Sequence, residues 1–520
     1  MKKALVKKAM SVLVVIALMI SVMSLAFSSY AVGCNVPVVY VQGQGHWLHD
    51  NCQSPDRTTI YPYDVPDGYI VSCVKDALPY LAKAVFLGQW DAYYDVLLSY
   101  VNNVFSETVM DNNGNPRNNS GSSFNVSQQL TDYKTVNGEY NLLDYNMAYD
   151  WRADPCDTAD LLEVYIDNVL KTTGAAQVKL VSRCEGVNIA LAYLQEYGIS
   201  KVDSVVLYCG TMEGLAAVGS LFSGDVTLDS DCVTRYASQA LGDDYIMTFI
   251  KDTVKLLNET YQLDMGLAAV QKLVLDKIID NCFDKLIMAS YGTMPGYWGM
   301  IGERYFNSAK TYLFGENYNN NTQYAGLIQK IDNYHNNVQL KAKDMLKRYH
   351  AEGLEVYVIS KYGYQNIPIN EEAAYPADEF LEITSSSYGA SVTKIGTTFS
   401  SSYMKNAEKN STAKYISPEK FIDASTCLFP DSTWFINQLG HKLFPDSVDT
   451  MIMTLLGSSS QATVNDYESY PQYMLYNSEN DTLTPLTTQN APETEKVNFF
   501  TAFINFIKSF FTLIKTYFSK

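Results

Sequence analysis

One short segment constrains the fold of this chain more than any other. Residues 178–181, Val-Lys-Leu-Val, are typical of a buried strand, and residues 187–197 have a helical pattern that ends before Gly198. The turn between them reads Ser182-Arg183-Cys184-Glu185-Gly186. A strand that turns directly into a helix brings the positions two before and two after its centre close together, so only small side chains fit there. The segment therefore predicts an elbow that exposes Cys184 at the carboxyl end of a sheet.

Such an elbow places its central side chain where a nucleophile is needed. A cysteine attacks as a thiolate, and both the helix N-terminus and a histidine would lower its pKa. The backbone N–H of Glu185 and the helix N-terminus would lie beside a developing oxyanion. The alternative interpretation is a buried structural cysteine at an ordinary strand-to-helix turn, and the motif by itself leaves both open.

Strand and helix patterns alternate on both sides of the elbow. An amphipathic helical pattern covers 158–170, an apolar strand pattern covers 203–209, and strand patterns resume at 354–360 and 433–437. The alternation predicts an α/β fold, with a mostly parallel sheet and helices on both faces. Residues 211–350 show helical patterns and no convincing strand, which predicts a helical cap insertion. The predicted organisation is a signal peptide at 1–33, a core in two parts at 34–210 and 351–490, the cap at 211–350, and an amphipathic C-terminal helix at 491–520.

The composition excludes some classes of protein. Hydrophobic residues make up 47% of the 520 residues, which is enough for a large core and excludes a fully disordered or collagen-like chain. The formal net charge of −18 would repel nucleic-acid phosphates, so we expect no nucleic-acid partner.

The first 33 residues have the pattern of a secretory signal peptide. Four lysines precede an apolar run from Met10 to about Phe27, and small residues follow at Ser29 and Ala31. We therefore expect a secreted, extracellular or cell-surface protein. A retained anchor helix and lipoprotein processing at Cys34 are the alternatives.

Export permits disulfides, and the chain has nine cysteines. Nine is odd, so at least one cysteine is unpaired, lipid-modified or bound elsewhere. Cys34 and Cys52 bracket one strand and loop and are candidates for a pair, whereas the sequence does not define the remaining connectivity.

Several segments, taken in their order along the chain, resemble the α/β-hydrolase superfamily, and within it the lipases similar to lecithin–cholesterol acyltransferase. Residues 38–45 look like the strand and oxyanion loop of that group, and Tyr149-Asp-Trp-Arg152 looks like its Tyr-Asp-Trp-Arg segment. The elbow follows, and residues 377–387 and 433–441 look like the stretches that hold the catalytic acid and histidine. The resemblance implies an α/β-hydrolase fold and a catalytic triad with cysteine in place of serine.

In that superfamily the chain order is nucleophile, acid, histidine. The resemblance assigns the base to His441, just after a predicted strand, and the acid to Asp378, with Asp423 as the alternative acid. The family has glycine after the acid, where this chain has Glu379, so the turn at this point departs from the family pattern.

The resemblance also implies an oxyanion hole and its supports. Its donors would be the backbone N–H groups of Gln44 and Glu185, although the Gly-rich segment at 43–45 also reads as a plain loop. Trp151 and Arg152 would support the pocket, and the alternative is a core tryptophan and a buried ion-pair arginine.

A cluster near the N-terminal strand is the one candidate for a metal site. His46, His49, Asp50 and Cys52 are closely spaced, but zinc spacing usually needs a second ligand cluster, and no second Cys/His pair follows at such spacing. We therefore predict that these four residues belong to a loop beside the oxyanion strand. We expect no metal and no cofactor.

The C-terminus has a helical pattern with two faces. Between residues 497 and 518 one face carries mostly phenylalanine and isoleucine, and the other carries Asn, Thr and Lys. Such a helix would lie on a membrane surface or a lipid aggregate, or would pack on the body of the protein or in an oligomer.

These observations lead to three hypotheses. The first is a secreted acyl hydrolase or acyltransferase, which acts on lipid-like esters through Cys184, His441 and Asp378 and an acyl-thioester intermediate. The second is a catalytically inactive binding or cell-surface protein of the same fold, in which Cys184 is a degenerate or disulfide-bonded residue. The third is a membrane-surface structural protein built around the C-terminal helix.

Overall fold

The computed structural model describes residues 33–66, 68–492 and 498–518. The predicted signal peptide, apart from its last residue, lies outside the described residues. Among the helices of the described part, none is both long enough and apolar enough to cross a membrane.

Within the described residues, a central sheet of eight strands organises the fold. Its strands, in chain order, are β1 Val38–Val41, β2 Tyr145–Met147, β3 Val178–Arg183, β4 Val202–Tyr208, β5 Glu355–Tyr362, β6 Thr433–Asn437, β7 Tyr473–Asn477 and β8 Thr482–Pro485. Their order across the sheet is β8-β7-β6-β5-β4-β3-β1-β2, and all neighbours are parallel except β7 and β8. The predicted α/β class with a mostly parallel sheet is confirmed.

Helices flank the sheet and fill the long connections. In chain order they are α1 Tyr69–Leu87, α2 Asp91–Phe105, α3 Pro155–Thr173, α4 Gly186–Tyr197, α5 Ala216–Ser223, α6 Ser230–Ala240, α7 Tyr245–Glu259, α8 Gln262–Val270, α9 Asp276–Asn281, α10 Phe283–Met288, α11 Pro295–Trp298, α12 Glu303–Phe314, α13 Ala325–Asn337, α14 Ala342–Ala351, α15 Ile383–Ser386, α16 Ser401–Lys409, α17 Asp446–Leu456 and α18 Phe499–Phe518. Three short antiparallel pairs lie outside the sheet: Leu48–Asp50 with Thr58–Tyr61, Tyr364–Gln365 with Pro376–Ala377, and Ser391–Val392 with Ile422–Asp423.

The middle of the sheet is buried on both faces, as parallel strands joined by helical crossovers must be. Every residue of β3 is buried, and so is almost every residue of β4 and β5. Helix α3 shows how the flanking helices are delimited. Asp154 accepts a hydrogen bond from the backbone N–H of Cys156 at its start, and Gly174 ends it at a φ of 69°.

The chain between β4 and β5 consists of helices α5–α14 with no strand among its described residues. One part of this insertion lies directly against the elbow, because the Asn188 side chain donates a hydrogen bond to the carbonyl of Gly299 at 3.1 Å. Gly296 has no room for a side chain, since a Cβ there would lie 2.2 Å from the backbone oxygen of Trp151. The insertion therefore forms one wall of the space beside Cys184.

Candidate active site

Cys184 lies at a sharp turn between β3 and α4 with a φ of 51°. This left-handed conformation is uncommon for a residue other than glycine and is characteristic of functional turns. The turn requires small neighbours. A Cβ on Gly186 would lie 2.4 Å from the backbone oxygen of Val41, and Ser182 is completely buried with its hydroxyl donating to the carbonyl of Val206 at 3.0 Å. The turn therefore has the close packing around small residues that the sequence predicts, and Cys184 remains partly exposed.

The loop that follows β1 lies against the elbow. A Cβ on Gly43 would lie 2.8 Å from the Cβ of Cys184 and 3.4 Å from the backbone nitrogen of Glu185, so only glycine permits this approach. Gln44 is the next residue in the loop. The two predicted oxyanion donors, the backbone N–H groups of Gln44 and Glu185, thus come from two segments in contact beside the thiol.

The structure brings the three predicted catalytic side chains together. The Sγ of Cys184 lies 3.5 Å from Nε2 of His441, and Nδ1 of His441 lies 2.8 Å from Oδ2 of Asp378. The three residues follow β3, β6 and β5 respectively, at the carboxyl ends of strands within one sheet. A nucleophile, a base and an acceptor that orients the base are therefore in line.

The electrostatics of the triad favour its charged form. Burial raises the pKa of the Cys184 thiol, but His441, Arg183 and the backbone N–H of Glu185 together bring it below its ordinary value. Burial lowers the pKa of His441, whereas Asp378 and Cys184 raise it to about 9. Burial raises the pKa of Asp378, but His441 and Lys361 outweigh burial and bring this pKa below its ordinary value. The Asp378 carboxyl group is therefore ionised. The site therefore favours a thiolate beside an imidazolium.

Asp378, and not the alternative Asp423, contacts the histidine. The second carboxylate oxygen of Asp378 accepts hydrogen bonds from the backbone N–H groups of Phe380 and Leu381 at 3.2 and 2.8 Å. Asp423 instead accepts from the Tyr403 hydroxyl at 2.8 Å and from the backbone of Ser425. Asp423 therefore stabilises a local turn.

Glu379 occupies the position after Asp378, where the lipases that the sequence resembles have glycine. Its φ is 92°, a conformation that favours glycine, so the backbone adopts here the kind of turn that a glycine would permit. Its carboxyl group lies near Gly440, because a Cβ on that glycine would be 3.1 Å from Oε1 of Glu379. A second acidic side chain thus lies beside the loop after β6 that carries His441, called the histidine loop below.

Lys361 is a site residue that sequence reasoning missed. It lies on β5, is completely buried, and donates to the carbonyls of Gly440, His441 and Leu443 at 2.9, 2.8 and 3.1 Å. These bonds fasten the histidine loop to the strand that precedes the acid. A lysine inside an otherwise apolar strand is the signal that would have identified it, because buried lysines need partners.

Trp151 and Arg152 have different roles. The guanidinium of Arg152 is fully buried, forms an ion pair with Asp150 at 2.7 Å, and donates to Thr108 and Ser120. Arg152 therefore connects the segment before β2 to the turn after β2. This is the buried ion-pair arginine that the sequence offered as the alternative to a pocket residue. Trp151 is also fully buried, and its ring lies 4.9 Å from that of Tyr61 and 6.1 Å from that of Tyr297.

The remaining candidates do not assemble into a metal site. No group of three or more His, Cys, Asp or Glu side chains in the described part of the chain is placed to hold a metal ion. His46 lies beside Tyr149 with ring centroids 5.5 Å apart, and burial lowers its pKa to about 4. All nine cysteines are described and all are free thiols, so Cys34 and Cys52 are not paired.

Comparisons with models of protein families, with curated proteins and with solved structures find no match for this chain.

Proposed function

We propose that this chain is an acyl hydrolase or acyltransferase of the α/β-hydrolase type that acts on esters through Cys184, His441 and Asp378. One observation carries the proposal, namely the continuous line from the thiol to the imidazole at 3.5 Å and from the imidazole to the carboxylate at 2.8 Å. The order nucleophile, acid, histidine along the chain and the mostly parallel sheet support the hydrolase assignment.

The chemistry follows from the charges of the three groups. The Cys184 thiolate attacks the ester carbonyl and a C–S bond forms. The oxyanion of the tetrahedral intermediate accepts hydrogen bonds from the backbone N–H groups of Gln44 and Glu185. The C–O bond then breaks, and the His441 imidazolium protonates the leaving alkoxide. Water, deprotonated by His441, hydrolyses the acyl-thioester and regenerates the thiol, or an alcohol or amine takes the acyl group instead.

Cys184 is a free, partly exposed thiol, which supports catalysis over the form of the inactive binding protein in which this residue is disulfide-bonded. The form in which Cys184 is a degenerate elbow residue is left to the activity test below. The resemblance points to lipid-like esters, and secretion follows from the signal pattern at 1–33. Both remain proposals, and a panel of esters with increasing acyl length measures how long a chain the pocket accepts.

The test compares three proteins under mild reduction with that panel of p-nitrophenyl esters. Wild type should release p-nitrophenol and accumulate an acyl adduct on Cys184 that intact-mass spectrometry detects. Cys184→Ala should lose both, and Cys52→Ala, which removes another partly exposed thiol, should keep both. Equal release by wild type and Cys184→Ala would contradict the proposal.

A further inference from the structure

Three buried polar side chains beside Cys184 lack the partners that buried groups normally have. The Nε2 of Gln44, the Nε1 of Trp151 and the Oε2 of Glu185 are buried atoms with no hydrogen-bond partner among the described residues. Trp151 and Glu185 are exposed by only 0% and 2% of their surfaces. More than about 90% of buried polar groups in proteins are satisfied, because an unsatisfied buried donor or acceptor destabilises the fold, so such a cluster needs an explanation.

The three atoms belong to separate segments that converge on the nucleophile. Glu185 follows Cys184 directly, and its backbone N–H lies at the thiol. Tyr297 of the insertion donates its hydroxyl to Oε1 of Gln44 at 3.0 Å, which fixes the amide and leaves its N–H₂ group for another partner. The Tyr297 ring also lies 6.1 Å from that of Trp151. Gly296 covers the Glu185 carboxyl, because a Cβ there would be 2.6 Å from Oε1.

The Glu185 carboxyl group does not cap the helix that begins beside it. It stands at the N-cap position of α4, yet its side chain makes no capping hydrogen bond. Burial, the Cys184 charge and Asp150 raise its pKa well above the ordinary value. A neutral carboxyl group both donates and accepts a hydrogen bond. The cluster therefore offers two N–H donors and one group of either kind.

We infer that Gln44, Trp151 and Glu185 form a polar subsite for the acyl part of the substrate, and that this part carries a neutral hydroxyl or amide group near the reacting carbonyl. The inference rests on the proposed function and narrows its substrate class. An anionic group is disfavoured at the Glu185 carboxyl, because the Cys184 and Asp150 charges already oppose a further negative charge at this position. A cationic group would find no partner in the two N–H donors.

The test uses two isosteric pairs of p-nitrophenyl esters. The first pair is 3-hydroxybutanoyl, as each enantiomer, and 3-methylbutanoyl. The second is N-acetyl-β-alanyl and 5-methylhexanoyl. The rate of Cys184 acylation is divided by the rate of the same ester with free cysteine, which removes intrinsic reactivity. We expect at least one polar ester to react about tenfold faster than its apolar isostere, since satisfying one or two buried groups recovers about 1.4 kcal/mol.

Two variants assign that preference to the subsite. Glu185→Leu should bring the polar-to-apolar ratio close to one, and Trp151→Phe, which keeps an aromatic ring but removes the N–H, should lower it several-fold. Because the readout is a ratio, a general loss of activity does not mimic the result. A wild-type ratio of one or less in both pairs overturns the subsite but not the proposed function. A Cys184 that none of the five esters acylates overturns both.

Discussion

At the scale of single residues, the candidate site is built on backbone conformations that few side chains adopt. Cys184 has a φ of 51° and Glu379, the residue after Asp378, has a φ of 92°, so both residues adopt backbone conformations that favour glycine. Such conformations cost about 1–3 kcal/mol each and persist only where the surrounding structure imposes them. In this chain Gly186 and Gly43 provide the close backbone packing that imposes the first.

The ionisation of Cys184 and His441 predicts a specific pH dependence. The lowered pKa of the thiol means that the thiolate population rises with pH at values below 9, and the raised pKa of His441, about 9, means that the imidazolium is lost only above that value. Alkylation of Cys184 by iodoacetamide should therefore reach half its maximal rate below pH 9. In His441→Gln the midpoint should move upward, and kcat/KM should fall about 10²- to 10⁴-fold.

Cys52 supplies the internal reference for that experiment, because it is also partly exposed and lies outside the triad. Its alkylation profile should be the same in wild type and His441→Gln. A Cys184 midpoint that is also unchanged by the substitution would contradict an ion pair between the two residues.

At the scale of elements, the site depends on how the ends of neighbouring strands are fastened. Asp378 follows β5 and His441 follows β6, and β5 pairs with β6 in parallel register, with Lys361 opposite Ile436. Lys361 then reaches the loop after β6 and binds three of its carbonyls. Lys361 thus holds the loop after β6 against β5, and the backbone N–H of His441 donates to the carbonyl of Asp378 at 2.6 Å, which joins the two residues directly.

Lys361→Met should therefore weaken catalysis through the position of His441. We expect kcat/KM to fall about 10- to 100-fold, because small displacements of a catalytic group cost that much. The midpoint of Cys184 alkylation should also move to higher pH, since the histidine no longer holds the thiolate as closely.

Lys310→Met is the matched control for this prediction. Lys310 is likewise buried, at 5% exposure, but pairs with Asp332 in the insertion. Its replacement should lower the melting temperature and leave the alkylation midpoint unchanged. If Lys361→Met lowers only the melting temperature, Lys361 has a purely structural role.

At the scale of the whole molecule, the C-terminal helix joins the insertion. Helix α18 packs along α7, where the rings of Phe506 and Phe249 lie 5.5 Å apart, and Ala502 is completely buried. The packing alternative is thus the arrangement present in the structure. In the first turns of α18 the apolar side chains of Phe499, Phe500, Phe503 and Ile504 are exposed, Phe500 by 75%. Contact with a lipid surface through these residues stays a prediction.

Ending the chain at Pro492 should uncover α7. We expect amide hydrogen exchange in residues 245–259 to accelerate at least tenfold, about 1.4 kcal/mol of local stability, because the apolar contacts with α18 are lost. Phe500→Ser, which changes an exposed side chain of α18, should leave that exchange within twofold of wild type. Unchanged exchange in the shortened chain would mean that α18 does not stabilise α7.

Local patterns in the sequence determine a large part of this architecture. The elbow, the apolar strands on either side of it and the absence of strand patterns in 211–350 follow from residue periodicity and from the size of two side chains. Strands β2, β7 and β8 were not identified from the sequence. They lie toward the edges of the sheet, contain exposed or polar positions, and depend on neighbours that are distant along the chain.

The tertiary structure determines which groups that are distant along the chain come into contact. The sequence predicts Cys184, His441 and Asp378 as a set, but it leaves Asp423 open, and the geometry separates the two acids because one faces the histidine and the other caps a turn. Lys361 and the unsatisfied group formed by Gln44, Trp151 and Glu185 become visible only when burial is known. Periodicity reports local conformation, whereas desolvation and contact depend on segments hundreds of residues apart, which folding brings together.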